Sequence, residues 1–185
     1  MKDDTLLTET QAETREIFNG TLLHVFKDTV TLPNGNQSTR EFIKHNGAVC
    51  IVPVTDDGKV IMERQFRYPV NKVIWEIPAG KLDYAEENHL EAAKRELEEE
   101  TGYVADRWTE IGTYVPAAAY STECIWMYIA QGLRKGERHL DADEFLNVYE
   151  IPLDDLVKQV ASGEIADGKT IAAIFRTEKI LKNRV

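Results

Sequence analysis

Glu96, Glu99 and Glu100 are the residues whose type and spacing could do chemistry in this chain. In a helix, positions four apart share a face, so Glu96 and Glu100 stand together with Glu99 on their flank. Like charges at that spacing repel and weaken an isolated helix. Solvent, a basic partner or a metal ion relieves the repulsion, and a solvated face is the plainest reading of a Glu-rich helix taken alone. Carboxylate oxygens are also the ligands that hard Mg²⁺ prefers, a few at a time and together with substrate phosphates. With such an ion, the chemistry open to the set is attack of water at phosphorus. Negative charge spreads over the phosphate oxygens as water attacks phosphorus, and a divalent ion neutralises it and lowers the pKa of a bound water.

The element that must hold these acids is a helix from about Asn88 to Thr101. Asn88 is a good N-cap, Glu91 three residues on can close a capping box, and Gly102 suits the left-handed position past the end. Leu90, Ala93 and Leu97 fall on one stripe, which predicts the face turned to a core. A tight turn at Pro78-Ala79-Gly80 feeds the helix, and glycine there lets backbone approach an ion closely.

These residues sit in a fixed frame: Gly80, a Glu at 86 or 87, then Arg95-Glu96-Leu97-x-Glu99-Glu100-x-Gly102-Tyr103. The frame resembles the signature of the Nudix hydrolases, Gly-x5-Glu-x7-Arg-Glu-U-x-Glu-Glu-x-Gly-U, where U is bulky and apolar or aromatic. Counting forward from Gly80 selects Glu86 and counting back from Arg95 selects Glu87, so the chain carries one extra residue between them. The resemblance extends through LPNG (32–35), HNGAV (45–49), RQFRYPV (64–70) and WEIPAGKLD (75–83) to an acidic loop at 140–148, and is closest to the ADP-ribose pyrophosphatase branch. It implies Mg²⁺-dependent hydrolysis, with Mn²⁺ as the substitute ion, of ADP-ribose to AMP and ribose 5-phosphate.

The resemblance also implies roles. The Ala79 carbonyl, Glu96 and Glu100 fall on the family's metal ligands, with Glu99 sharing or orienting a metal and Arg95 paired with Glu86 or Glu87. In LDADEFLNV, Glu144 takes the place of the general base and is counted with Arg95 as catalytic; Asp143 and Asp141 are the alternatives. Arg67 takes the slot of an arginine on the substrate diphosphate, and Arg64 lies beside it; a planar guanidinium suits bidentate phosphate contacts. Glu123 closes a loop that contacts substrate or metal, and Tyr120 and Tyr68 are candidates for stacking on a base. That loop reads Ala117-Ala118-Ala119 where the branch commonly has Ser-Pro-Gly. This departure keeps open a different nucleoside diphosphate sugar as substrate. A module that binds ADP-ribose without turning it over is the other alternative, opposed by the retention of all three helix acids.

The fold expected is an α/β/α sandwich with a mixed sheet and an N-terminal β-hairpin extension. The strands expected are at about 47–54, 59–66, 73–77, 108–115, 124–130 and 144–151, with helices at 153–160 and 170–181. Residues 1–44 are expected to form the extension, with 1 to about 12 mobile or in an interface and a hairpin over 22–44, and 45–185 the hydrolase domain. Relatives of this branch exchange such N-terminal strands, which implies a homodimer. Composition is that of an ordinary globular chain, 43% hydrophobic and 29% charged, with Cys50 and Cys124 expected as buried thiols. A net charge of −10 without a basic cluster argues against nucleic acid and anionic membrane as partners. With no apolar run of spanning length and a polar N-terminus, the expected location is the cytoplasm. The four His, including a surface His89, and Trp75, Trp108 and Trp126 as core are expected away from the chemistry.

Overall fold

Residues 48–54 are apolar at every position because both faces of that strand are covered. The structure, a computed structural model, describes residues 4–140, 142 and 144–183. Two compact units emerge: one from residues 47–116 with 124–185, the other from residues up to 46 with 117–123.

In the larger unit the central strand is β4 (Ala48–Val54). Ala48, Cys50, Val52 and Val54 point to one core, and Val49 and Ile51 to a second. The first core is closed by α2 (Leu153–Ser162) and α3 (Gly168–Lys182) through Leu156, Val160, Ala173 and Ile174. The second is closed by α1 (His89–Thr101) through Ala92, Ala93 and Leu97. A sheet lies between, as the α/β/α reading requires. The remaining strands are β5 (Lys59–Arg67), β6 (Lys72–Glu76), β7 (Ala79–Lys81), β8 (Tyr103–Tyr114), β9 (Ile125–Lys135) and β10 (Leu146–Pro152). Their order is β10-β5-β4-β9-β8, with β6 on β5 and β7 on β4. Only β4–β9 is parallel among these pairings, so the sheet is mixed.

The acidic helix begins and ends where its caps predict. Asn88 Oδ1 accepts from the Leu90 and Glu91 amides at 3.0 and 3.1 Å, and Gly102 sits at φ 71°. The reciprocal arm of the capping box is replaced: Glu91 accepts from Lys94 Nζ at 2.8 Å. Leu97 and Ala93 are fully buried. Burial of Leu97 alone is worth about 2 kcal/mol, part of what holds this repulsive helix in place.

The smaller unit holds the expected hairpin, extended by one more strand to a three-stranded antiparallel sheet. β1 (Thr10–Asn19) adds to β2 (His24–Thr31) and β3 (Gln37–Lys44). β1 is exposed along its whole length and its apolar residues, Ala12, Ile17 and Phe18, do not alternate, so it lacks the period-two pattern that marks a strand in sequence. Two smaller expectations also change. His89 is half-buried and stacks on Trp126 at 3.6 Å, and Cys124 is only partly buried, just before β9. Cys50 is buried, which pushes its thiol up to about 12.

Candidate active site

Ala79 and Gly80, expected in a tight turn, lie instead in β7, paired with β4, and meet α1 through two contacts, the first of which requires glycine at position 80. A Cβ there would lie 1.9–2.2 Å from the Glu96 carboxylate. The Ala79 amide donates to Glu100 Oε2 at 2.9 Å. Both carboxylates are therefore packed against the Ala79-Gly80 backbone, with Glu96 9% and Glu100 3% exposed. Burial pushes Glu96 up to about 7, against the pull of Arg95. Glu100 is held well above the usual carboxylate range by burial, then by the neighbouring Glu63 and Glu96.

Arg95 is the organiser of the outer acids. Its guanidinium donates to Glu96 Oε1 at 2.7 Å, Glu99 Oε2 at 3.1 Å and Glu87 Oε1 at 3.4 Å, with Asp83 at 4.0 Å. Glu87 rather than Glu86 thus meets Arg95, and it also accepts from the Asp83 amide at 2.7 Å. The extra residue after Gly80 is absorbed in the loop, so the count back from the helix is the one that matters.

Glu63 is the site residue that motif reading missed. It follows Val60, Ile61 and Met62 in β5, is 2% exposed, and its Oε1 has no hydrogen-bond partner. Burial raises it to about 8, with Arg138 pulling down and Glu76 and Glu144 pushing up. A signal existed: an acid continuing a strand already buried on both faces must itself be buried. Glu76, opposite Glu63 in the β5–β6 ladder, is 4% exposed and fully engaged. It accepts from Arg67 Nε at 2.6 Å and from Lys169 Nζ, which also reaches Asp167 at 3.0 Å.

Strand alternation separates the two arginines. Arg67 shares a face with Glu63, whereas Arg64 leaves β5 on the other side and lies over Trp75, 5.1 Å from the ring centroid. Glu144, two residues before β10, acts through space on Glu63, Glu96 and Glu100. Asp141 and Asp143 lie outside the described residues. Tyr120 and Glu123 belong to the smaller unit: the Tyr120 carbonyl accepts from the Ile43 amide at 2.8 Å, and the Glu123 amide donates to Ser121 Oγ at 3.1 Å. Tyr68 is 85% exposed at the turn after β5.

The donor set fits a hard divalent cation. Glu63 and Glu100 are buried carboxylates without an ion-pair partner within 4 Å among the described residues, and Glu63 has an orphaned oxygen. A buried carboxylate is costly unless a proton or a cation compensates it. Among the described residues no three acids already converge on one point, and Arg95 bridges Glu96 and Glu99 where a cation would compete for them.

Comparison with known proteins agrees with this geometry. The NUDIX domain matches residues 44–174. The chain is 44% identical over 170 residues to the ADP-ribose pyrophosphatase of Bacillus subtilis (strain 168), covering 91% of each protein. It is 37% identical to the methanol dehydrogenase activator of Bacillus methanolicus, covering 97% of this chain and 98% of the relative. It is 36% identical to the ADP-ribose pyrophosphatase of Mycobacterium tuberculosis (strain ATCC 25618 / H37Rv), covering 89% and 80%. A crystal structure described as an ADP compounds hydrolase superposes with a TM-score of 0.84 over 95% of both chains at 23% identity, which establishes the fold.

Proposed function

The chain belongs to the NUDIX domain family of hydrolases, and on that premise we propose that it cleaves the diphosphate of ADP-ribose, releasing AMP and ribose 5-phosphate, with Mg²⁺ as its cation. The observation that carries the reading is the pair of buried carboxylates, Glu96 and Glu100, packed on the Ala79-Gly80 backbone at the start of β7. Nearby arginines leave Glu100 without a counter-ion, so the site has room for charge of the opposite sign.

Glu96, Glu100 and the Ala79 carbonyl would hold the ion, with Glu99 at its edge. When bound, the ion supplies neutralisation of the charge that builds on the diphosphate oxygens. Arg95 fixes Glu96 and Glu99 in orientation. Glu76 engages Arg67 through Nε, leaving the two Nη groups for diphosphate oxygens. Glu144 takes a proton from the attacking water; the P–O–P bridge breaks and the second phosphate leaves as a monoester. Arg64 and Tyr68 are proposed for contacts to the sugar or base. The smaller sheet is proposed as a homodimer element: β1 is exposed throughout, and Leu6, Leu7, Ile17, Phe18, Leu22 and Leu23 are exposed with it. Light scattering of the purified chain tests this, and a monomer would refute it. The acidic composition suits a cytoplasmic setting, and among the described residues no helix is long and apolar enough to cross a membrane.

A panel of nucleoside diphosphate sugars with Mg²⁺, read by kcat/KM and product identification, tests the substrate. ADP-ribose should lead and give AMP. A clear preference for another sugar nucleotide would overturn the substrate assignment while leaving the reaction type.

A further inference from the structure

The C-terminal end of α1 is an electrostatic problem. Its last turn carries Glu98, Glu99 and Glu100 and no basic residue, although the dipole there favours cations. Its last carbonyls also need donors. Both needs are met by a segment more than thirty residues further along the chain. The Gly136 amide donates to the Gly102 carbonyl at 2.7 Å, and the His139 amide to the Glu99 carbonyl at 3.1 Å. Arg138 Nε donates to the Glu100 carbonyl at 2.6 Å.

Arg138 then does something a cap alone would not. Its Nη2 donates to the Leu146 carbonyl at 2.9 Å. One planar guanidinium thus ties the last turn of the metal-binding helix to the first residue of β10, and Glu144 stands two residues before that anchor. Both acceptors are main-chain carbonyls, so the link fixes backbone to backbone. Glu63, on β5, is drawn down by the same guanidinium through space. At the far end of the tie Leu146 is 7% exposed and paired with Gln65 across β5–β10, so the anchor point is rigid.

We propose that Arg138 is a positioning residue for the reaction: it holds the Glu144 carboxylate at a fixed place relative to Glu96 and Glu100. This rests on the assignment of Glu144 as the base. Arginine suits the task because its fork presents two donors in fixed geometry, whereas a lysine ammonium offers one mobile head.

Four variants decide it: Arg138→Met, which keeps the stem and removes the donors, Arg138→Lys, Glu144→Gln, and Arg138→Met with Glu144→Gln. Each is assayed for AMP release from ADP-ribose, for Mg²⁺ affinity by calorimetry without substrate, and for amide exchange over residues 144–148. Arg138→Met should lower kcat by about 10- to 100-fold, the cost of misplacing a catalytic group by about 1 Å. KM and Mg²⁺ affinity should change less than about threefold, exchange at 144–148 should quicken, and Arg138→Lys should recover part of the loss. The double variant should be no slower than Glu144→Gln alone, since residues acting as a unit are not additive. The inference is overturned if Glu144→Gln is impaired while Arg138→Met and Arg138→Lys both turn over at the wild-type rate. It is equally overturned if Mg²⁺ affinity falls in step with kcat, which would make Arg138 a plain helix cap, or if the two losses multiply. Normal turnover by Glu144→Gln alone would remove the base assignment itself, and that result is visible without any Arg138 variant.

Discussion

Replacing Gly80 with alanine separates packing from chemistry at this site. The added Cβ would meet the Glu96 carboxyl carbon at 1.9 Å and its oxygens at 2.1 and 2.2 Å. To regain an ordinary contact the carboxylate must retreat by roughly 1.5 Å. The atoms displaced are the end of a flexible side chain, so the backbone need not move. Gly80 is not among the glycines with positive φ, so alanine fits its conformation. Alanine also restricts the unfolded chain, worth about 0.4–1 kcal/mol in favour of folding. The melting temperature should therefore stay within about 4 °C of wild type. Turnover should fall by about 100-fold, because misplacing a reacting group by about 1 Å costs that much. The Mg²⁺ concentration for half-maximal rate should rise in parallel. Thermal melts and a Mg²⁺ titration of ADP-ribose hydrolysis on the same preparation supply both readings. Wild-type turnover with unchanged Mg²⁺ dependence would refute the placement of Glu96 against Gly80 as a functional contact.

Other outcomes follow from the same geometry. Glu100→Gln retains an oxygen for the Ala79 amide but loses the charge, so Mg²⁺ affinity should drop by at least about tenfold while the fold persists. Stability of the metal-free protein should depend on pH in a particular direction. Glu63 and Glu96 are raised to about 8 and about 7, so the folded state keeps protons that the unfolded chain releases near pH 4.5. Their contribution is complete below about pH 4.5 and is lost as pH climbs towards 8. Melting temperature without metal should fall between pH 6 and 8.5, saturating Mg²⁺ should reverse the fall, and Glu63→Gln should flatten it; a pH-independent melt would contradict the burial of these acids. Leu97→Ala, in the core under α1, should cost about 2–5 kcal/mol in denaturant unfolding, with metal binding lost only as the helix loosens.

Much of the fold was legible because its signals are local. The caps of α1, its Leu90-Ala93-Leu97 stripe and the doubly covered β4 are written in neighbouring residues. What escaped depends on partners distant in sequence. β1 is a strand because β2 pairs with it, and its own exposed, mostly polar residues carry no period. The clustered acids of α1 were legible as spacing on one helix, but the reason glycine must precede them is a side chain sixteen positions later. Glu63 and Arg138 were not legible as site residues, since their roles arise where β5, α1 and β10 converge. Arg64 and Arg67 look equivalent in sequence and differ only through the pleat of β5, which sends one to Trp75 and the other to Glu76.

The most direct test is to incubate the purified chain with ADP-ribose, with Mg²⁺ and again with chelator, and to separate the products. The account predicts AMP and ribose 5-phosphate in equal amounts, formed only with the cation present and abolished by the joint replacement of Glu96 and Glu100 with glutamine. Cleavage that persists in chelator, or in the doubly substituted chain, would contradict it.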